Sequence, residues 1–184
     1  MIDERLYQEY SNWLIDYDSL IKKVIDEKSP FSIRFKHVFD VVDYLYNKLI
    51  DEPEYTEEDH QIFVTGISYL SEQIYELDNV LVKFYDNDFE ELEKNAKSVL
   101  LYLNIADFKN EMSILPEDER SDYSTLVNLY ETVYKDYITK KAEVPNKIFE
   151  NFNNVIEKIV NNLKLDYYSI SDIFLEIADE LGIV

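Results

Sequence analysis

The sequence predicts an all-α protein: a single-domain helical bundle of about six to seven helices with short connections. Only two glycines and four prolines occur among 184 residues, too few turn-forming residues for a many-stranded sheet. All four prolines lie between segments in which apolar residues recur every three or four positions. No long linker or low-complexity tract interrupts the chain, so residues 1–184 are expected to form one domain.

The first half of the chain contains three of these apolar stripes. The first runs through residues 6–24 and the second through residues 35–49. The third is the most regular, runs through residues 63–84 and predicts a helix of about 30 residues. Thr56, followed three residues later by Asp59, has the spacing of a capping box and is expected to open this third helix.

The fourth and fifth helices are less regular. Asp88 is expected to cap the fourth helix, whose stripe runs through residues 89–103. The register then slips, so residues 105–112 form either a bent continuation or a separate short helix. The fifth stripe is predicted at four positions, namely Leu126, Leu129, Val133 and Tyr137.

Two further helices follow Pro145. The sixth has an apolar stripe through residues 149–163, and the seventh is short and runs through residues 173–181. The sequence Ser-Ile-Ser-Asp provides a cap for the seventh helix, and Gly182 stands where glycine commonly ends a helix. Gly66 lies inside the third helix, where it either marks a close helix–helix crossing or is neutral.

Several chemistries are excluded by residue type. The chain has no cysteine, which removes thiol catalysis, cysteine-bound zinc and iron–sulfur clusters, and it has no glycine-rich nucleotide loop. His37 is interpreted as a residue at the helix surface or boundary. Glu57 and His60 have the Glu-x-x-His spacing of di-iron bundles, but Arg34 stands where a second copy would need its glutamate. No catalytic residue, metal site or cofactor is therefore predicted, and the protein is not expected to be an enzyme.

The N-terminus and the hydropathy pattern give an expected location. The first residues, MIDERLYQEY, contain neither the basic region nor the apolar region of a secretory signal. The most apolar windows are shorter than the roughly 20 residues that a membrane-spanning helix needs. A cytoplasmic protein without membrane contact is expected.

Charge is the strongest functional signal. The chain has 39 acidic and 18 basic residues, for a net charge of −21, so nucleic acid and anionic membranes should repel it. A partner bound through charge would be a basic protein. The densest acidic segment, DEPEYTEEDH, contains six carboxylates and no lysine or arginine. They either stabilise a helix start through its dipole or bind the partner, and we treat them as candidate binding residues: Asp51, Glu52, Glu54, Glu57, Glu58 and Asp59.

A second candidate surface combines acids with tyrosine. The chain has 16 tyrosines, many beside carboxylates, and tyrosine is common in binding hot spots. Asp166, Tyr167 and Tyr168 are expected in a turn between the sixth and seventh helices. An Asp-Tyr-Tyr sequence beside a short helix resembles a feature of bacterial colicin-type immunity proteins, a resemblance that covers these three residues. It implies that they form a partner-binding patch.

Together these features favour a non-enzymatic, acidic protein-binding module from a bacterium or phage. The main hypothesis is an inhibitor that neutralises a basic protein, either an immunity protein for a toxin or nuclease or a nucleic-acid mimic. The alternative is a helical scaffold or regulator that forms homo-oligomers or docks a partner through an apolar surface. A carboxylate-dependent enzyme is a third, less favoured hypothesis. Salt distinguishes the first two, because screening weakens charge-led binding much more than apolar docking.

Overall fold

The computed structural model describes residues 4–183, apart from the side chain of Glu52. This part of the chain contains eight α-helices and one short 3-10 helix but no strand, so the all-α class is confirmed and the count of six to seven is slightly low. The elements are α1 (Glu4–Val24), α2 (Ser32–Ile50), the 3-10 helix (Glu52–Glu54), α3 (Glu57–Tyr85), α4 (Phe89–Lys94), α5 (Ala96–Met112), α6 (Glu117–Lys140), α7 (Asn146–Leu163) and α8 (Ile170–Glu180).

The additional helix arises because the predicted fourth helix is divided at Asn95. This residue has φ −107° and ψ 22°, and its side-chain amide donates to the Glu91 carbonyl oxygen at 2.9 Å, which ends α4. The apolar pattern continues across the break, so periodicity could not reveal it. Residues 105–112, whose register slips in the sequence, continue α5 without interruption. Buried residues of α5 lie around much of its circumference, which blurs its apolar stripe.

The contacts of the chain form two compact units. Unit 1 consists of residues 1–78 and 168–184, and unit 2 of residues 79–167, so the boundary falls inside α3 and again just before α8. Whether the two behave as one domain, as the sequence suggests, stays a prediction. Among the described residues, no helix is long and apolar enough to cross a membrane.

The core of unit 1 joins α1, α2 and α3 through aromatic rings. Tyr10 of α1 is fully buried, and its ring centroid lies 4.3 Å from that of Tyr46 on α2 and 5.3 Å from that of Phe63 on α3. A buried aromatic side chain removes roughly 150–250 Å² from water, so a few such rings hold three helices together. In addition, Arg34 Nη2 donates to Oε1 of the buried Gln73 at 2.7 Å and so connects α2 to α3.

Gly66 marks a close helix crossing, one of the two alternatives that the sequence leaves open. A Cβ atom at this position would lie 2.5 Å from Val42 Cγ2 and 2.8 Å from Phe174 Cε1. Both neighbouring side chains are buried, the first on α2 and the second on α8. The absent side chain therefore lets α2 and α8 pack closely against α3.

Unit 2 has a separate core made by α5, α6 and α7. The stripe predicted for α6 is wrong in its first half, since Leu126 and Leu129 are 42% and 58% exposed, whereas Val133 and Tyr137 are partly buried against this core. The most deeply buried residues of α6 are Val127, Tyr134 and Ile138. This helix has apolar side chains on two adjacent stripes, and its packing against α5 and α7 selects one of them.

Candidate partner-binding surfaces

The acidic segment at residues 51–59 links α2 to α3. Asp51 caps the C-terminus of α2, where its backbone N–H donates to the Lys48 carbonyl oxygen. Glu57, Glu58 and Asp59 form the first turn of α3, where carboxylates interact favourably with the helix dipole. The side chains of Asp51, Glu54, Glu57 and Glu58 are exposed, while that of Glu52 lies outside the described part of the structure.

Asp59 differs from its neighbours because its carboxylate is already bound within the protein. The Thr56 N–H donates to Asp59 Oδ2 at 3.0 Å, and the Asp59 N–H donates to Thr56 Oγ1 at 3.1 Å. This is the predicted capping box. Lys48 Nζ of α2 also lies 2.8 Å from Asp59 Oδ2. Burial raises the pKa of Asp59, but the hydrogen bonds from Lys48 and Thr56 outweigh it, so that the pKa lies below its usual value.

Tyr55 and His60 pack beside this capping box. The Tyr55 hydroxyl lies 3.5 Å from His60 Nδ1, and the two rings meet edge to face with centroids 6.1 Å apart. Burial, together with the charges of Asp59 and Glu57, raises the pKa of Tyr55 to about 12. Within residues 4–183, no three histidine, aspartate or glutamate side chains converge so as to hold a metal ion.

Charge is distributed unevenly between the two units. Unit 1 contains 22 acidic and 7 basic residues, whereas unit 2 contains 17 and 11. Within unit 1, residues 49–78 contain nine acids and residues 168–184 contain four, and neither segment has a lysine or arginine. Three lysines elsewhere in unit 1 lie within 2.9 Å of a carboxylate: Lys22 with Asp18, Lys36 with Asp40, and Lys48 with Asp59.

The acidic residues 51–59 and the last turn of α8 lie toward the same end of unit 1. Near the start of α8, Ser171 contacts Arg34 and His37 of α2, and one turn later Phe174 lies beside Val42. The contacts advance together along both chains, so α8 and α2 run in the same direction. The last turn of α8 is therefore directed toward the C-terminus of α2, where the segment at residues 51–58 begins. We call six carboxylates the acidic end: Asp51, Glu54, Glu57, Glu58, Asp179 and Glu180.

The carboxylates on α8 are placed unfavourably for the helix itself. Asp179 and Glu180 lie at its C-terminus, where the helix dipole is negative, and the last turn contains no basic residue. Both side chains are exposed. Sequence reasoning did not select them, although the absence of lysine and arginine after Lys164 was a usable signal.

The predicted patch at residues 166–168 lies in the connection between α7 and α8, but its three members are placed differently. Tyr167 is half-buried in unit 2, with its ring edge to face against Phe108 at 5.2 Å. Asp166 is exposed and belongs to the same unit, whereas Tyr168 is 63% exposed and belongs to unit 1. Tyr167 therefore contributes to a core, and a binding role for the three residues stays a prediction.

Comparisons with protein-family models, with curated proteins and with solved structures find no match to this chain.

Proposed function

We propose that this protein is a non-enzymatic acidic module that binds a basic protein through the acidic end of unit 1. The observation that carries the proposal is that the last turn of α8, with Asp179 and Glu180, is directed toward the end of unit 1 at which Asp51, Glu54, Glu57 and Glu58 lie, while residues 49–78 and 168–184 contain no lysine or arginine. Carboxylates concentrated in this way attract a basic surface before contact and so raise the association rate.

The position of Asp179 and Glu180 supports a binding role over a purely solubilising one. Solubility needs only net charge, which acids at helix N-termini supply without opposing the dipole. Acids at a helix C-terminus instead destabilise the helix, by roughly 0.3–1 kcal/mol each at low ionic strength. Basic side chains of a partner would offset this repulsion on binding.

The chemistry of the acidic end selects a class of partner. A protein surface that is rich in lysine and arginine is most often one that binds nucleic acid or another polyanion. The proposed activity is therefore inhibition: the module would occupy such a surface on a toxin, a nuclease or another nucleic-acid-binding protein. As part of the same proposal, the protein is cytoplasmic and comes from a bacterium or a phage.

One observation favours the alternative of a scaffold. Leu126 and Leu129 on α6 are 42% and 58% exposed, and neither belongs to the core of unit 2. Adjacent exposed leucines on a helix can dock a partner helix or a second copy of the chain. Binding of this kind would depend little on salt.

Affinity capture from the host lysate with four baits tests the proposal. The baits are the wild type and three variants: an acidic-end variant (Asp51→Asn, Glu54→Gln, Glu57→Gln, Glu58→Gln), a charge-matched control in the first turns of α6 (Glu117→Gln, Asp118→Asn, Glu119→Gln, Asp122→Asn), and an apolar variant (Leu126→Ser, Leu129→Ser). All eight substituted acids are exposed, so each variant should fold.

The proposal expects the capture of one basic protein. It should be retained by the wild type, by the α6 control and by the apolar variant, and lost by the acidic-end variant. Equal loss from the two charge variants would mean that only total charge matters. A partner that only the apolar variant loses would replace the proposal with the scaffold.

A further inference from the structure

The two ends of α6 carry opposite charges, a pattern that the proposed function does not use. Residues 117–122, the first six of the helix, include four exposed carboxylates and one base, Arg120, which donates to the Ser113 carbonyl oxygen. Residues 135–140, the last six, include two exposed lysines and one aspartate, Asp136. The net charge is therefore −3 at the start of the helix and +1 at its end.

The middle of α6 is uncharged on its exposed side. Residues 123–134 contain one charged side chain, Glu131, which is bound to Lys109 of α5. The exposed side of this stretch instead presents Leu126 and Leu129, which are 42% and 58% exposed. The helix thus has an apolar centre between an acidic start and a basic end.

This pattern is complementary to itself. The midpoint of α6 lies between Asn128 and Leu129, and the rise per residue of an α-helix puts the centres of the acidic and basic segments about 14 Å from it on opposite sides. A second α6 laid antiparallel across the first therefore brings each acidic start to the basic end of the other helix, with the leucines at the centre. A parallel copy would bring the two acidic starts together. A contact in which the same surface serves on both copies is the one that a two-fold homodimer uses.

We propose that α6 of one copy binds α6 of a second copy of this chain in antiparallel orientation, so that the protein forms a two-fold homodimer. Leu126 and Leu129 of both copies pack together at the centre. Lys135 and Lys140 of each copy lie against the carboxylates at residues 117–122 of the other. The contact belongs to unit 2 and shares no residue with the acidic end of unit 1, so it does not rest on the proposed function.

The leucines supply the attraction, and the charges set the orientation. Packing of the leucine side chains of both copies removes apolar surface from water. The ion pairs between copies are exposed and so contribute little strength each, and Lys140 already lies 3.0 Å from Asp136 in its own helix. Antiparallel pairing nevertheless keeps the two acidic starts apart, whereas parallel pairing would place like charges together.

A dimer made by one helix from each copy should be weak. A helix of 24 residues is about 36 Å long, and two such helices side by side bury an area at the low end of protein–protein interfaces. The net charge of −21 also repels copies at long range, although in about 0.15 M salt charges more than about 8 Å apart are largely screened. A dissociation constant between about 10 µM and about 1 mM is therefore expected.

Sedimentation equilibrium of the full chain without any partner tests the proposal, in about 0.15 M salt and at up to about 1 mM protein. The proteins compared are the wild type, the apolar variant, the acidic-end variant as a control, and two charge-reversed variants of α6. The start-reversed variant is Glu117→Lys, Asp118→Lys, Asp122→Lys, and the end-reversed variant is Lys135→Glu, Lys140→Glu. All the substituted residues are exposed, so each variant should fold, which circular dichroism verifies.

The proposal expects a dimer in the wild type and at least as much dimer in the acidic-end variant. The apolar variant should raise the dissociation constant by roughly tenfold or more, because both leucines lie at the centre of the contact. Each charge-reversed variant alone should dimerise less than the wild type, because both ends of its α6 have the same sign. This holds for the start-reversed variant even though its net negative charge is smaller. Mixing the two charge-reversed variants should restore dimers that contain one chain of each.

Three results would overturn the proposal. They are a wild type that stays monomeric up to about 1 mM, a dimer that the apolar variant keeps unchanged, and charge-reversed variants that dimerise no better mixed than alone. A monomeric wild type would also assign the exposed leucines to a different protein, which lysate capture with the apolar variant would reveal.

Discussion

Replacement of Gly66 by alanine tests how α8 is positioned. In a helix interior, alanine is favoured over glycine by about 1 kcal/mol, so propensity alone predicts a more stable protein. Here the new Cβ would lie 2.5 Å from Val42 Cγ2 and 2.8 Å from Phe174 Cε1, closer than non-bonded carbon atoms approach in folded proteins. Val42 is fully buried and β-branched, so it cannot easily turn away. Overpacking of this kind costs about 1–3 kcal/mol, so that after the propensity gain the net loss is between about zero and about 2 kcal/mol.

Urea unfolding followed by tryptophan fluorescence measures this loss, because the only tryptophan, Trp13, lies in unit 1. Ser68→Ala, an exposed change in the same helix, is the control and should alter stability by only a few tenths of a kcal/mol. In a Val42→Ala background the clash with Cγ2 is gone, and Gly66→Ala should cost much less than it does alone. A Gly66→Ala protein that is more stable than the wild type by about 1 kcal/mol would refute the close crossing.

Two further predictions concern the carboxylates. Asp59→Asn should lower the free energy of unfolding by roughly 1–2 kcal/mol at neutral pH, because it loses the ion pair with Lys48 and weakens the capping box, whereas Glu58→Gln should change it by less than about 0.5 kcal/mol. Folding lowers the pKa of Asp59, so its carboxylate stabilises the protein above the usual aspartate pKa, and this stabilisation is lost as the pH falls through the lowered value. Urea unfolding at neutral and at acid pH measures the free energy of unfolding of each variant. Equal losses in Asp59→Asn and Glu58→Gln would contradict the role of Asp59. The double variant Asp179→Asn, Glu180→Gln should instead stabilise the protein in dilute buffer by roughly 0.5–2 kcal/mol, because it removes two negative charges from the negative end of the α8 dipole. Thermal unfolding measures this gain, and 1 M salt should screen most of it away. A gain that persists in 1 M salt would mean that the helix dipole is not its source.

The features that the sequence predicted correctly are local. The capping box of Thr56 and Asp59 depends on residues three positions apart, as does the cap at Asp88, whose side chain accepts from the Glu91 N–H at 3.1 Å. Gly182 ends α8 with φ 69°, a conformation that favours glycine. Each of these signals is complete within a few residues, so the rest of the fold is not needed to interpret it.

The features that the sequence could not supply depend on distant contacts. The break at Asn95 interrupts an apolar pattern that continues on both sides. The buried face of α6 is chosen by its neighbours, since Leu126 and Val127 are equally apolar and only the second is buried. The contact between His37 and Ser171 joins residues 134 positions apart, and no spacing rule points to it.

The candidate surface was only partly visible in the sequence. The composition of residues 51–59 identified the acidic segment, but the structure was needed to separate Asp59, which is bound to Lys48 and Thr56, from its exposed neighbours. The carboxylates of α8 are about 120 residues away in the chain. Their direction toward the same end of unit 1 follows from the packing of α8 along α2.

The salt dependence of partner binding tests the central claim most directly. The dissociation constant of the captured basic protein is measured between about 0.05 and 0.5 M salt for the wild type, the acidic-end variant and the α6 control. The account predicts steep weakening with salt for the wild type and the α6 control, and weaker binding with a much shallower salt dependence for the acidic-end variant. Affinity that is indifferent to salt, or a salt dependence that is the same in all three proteins, would contradict binding through the acidic end.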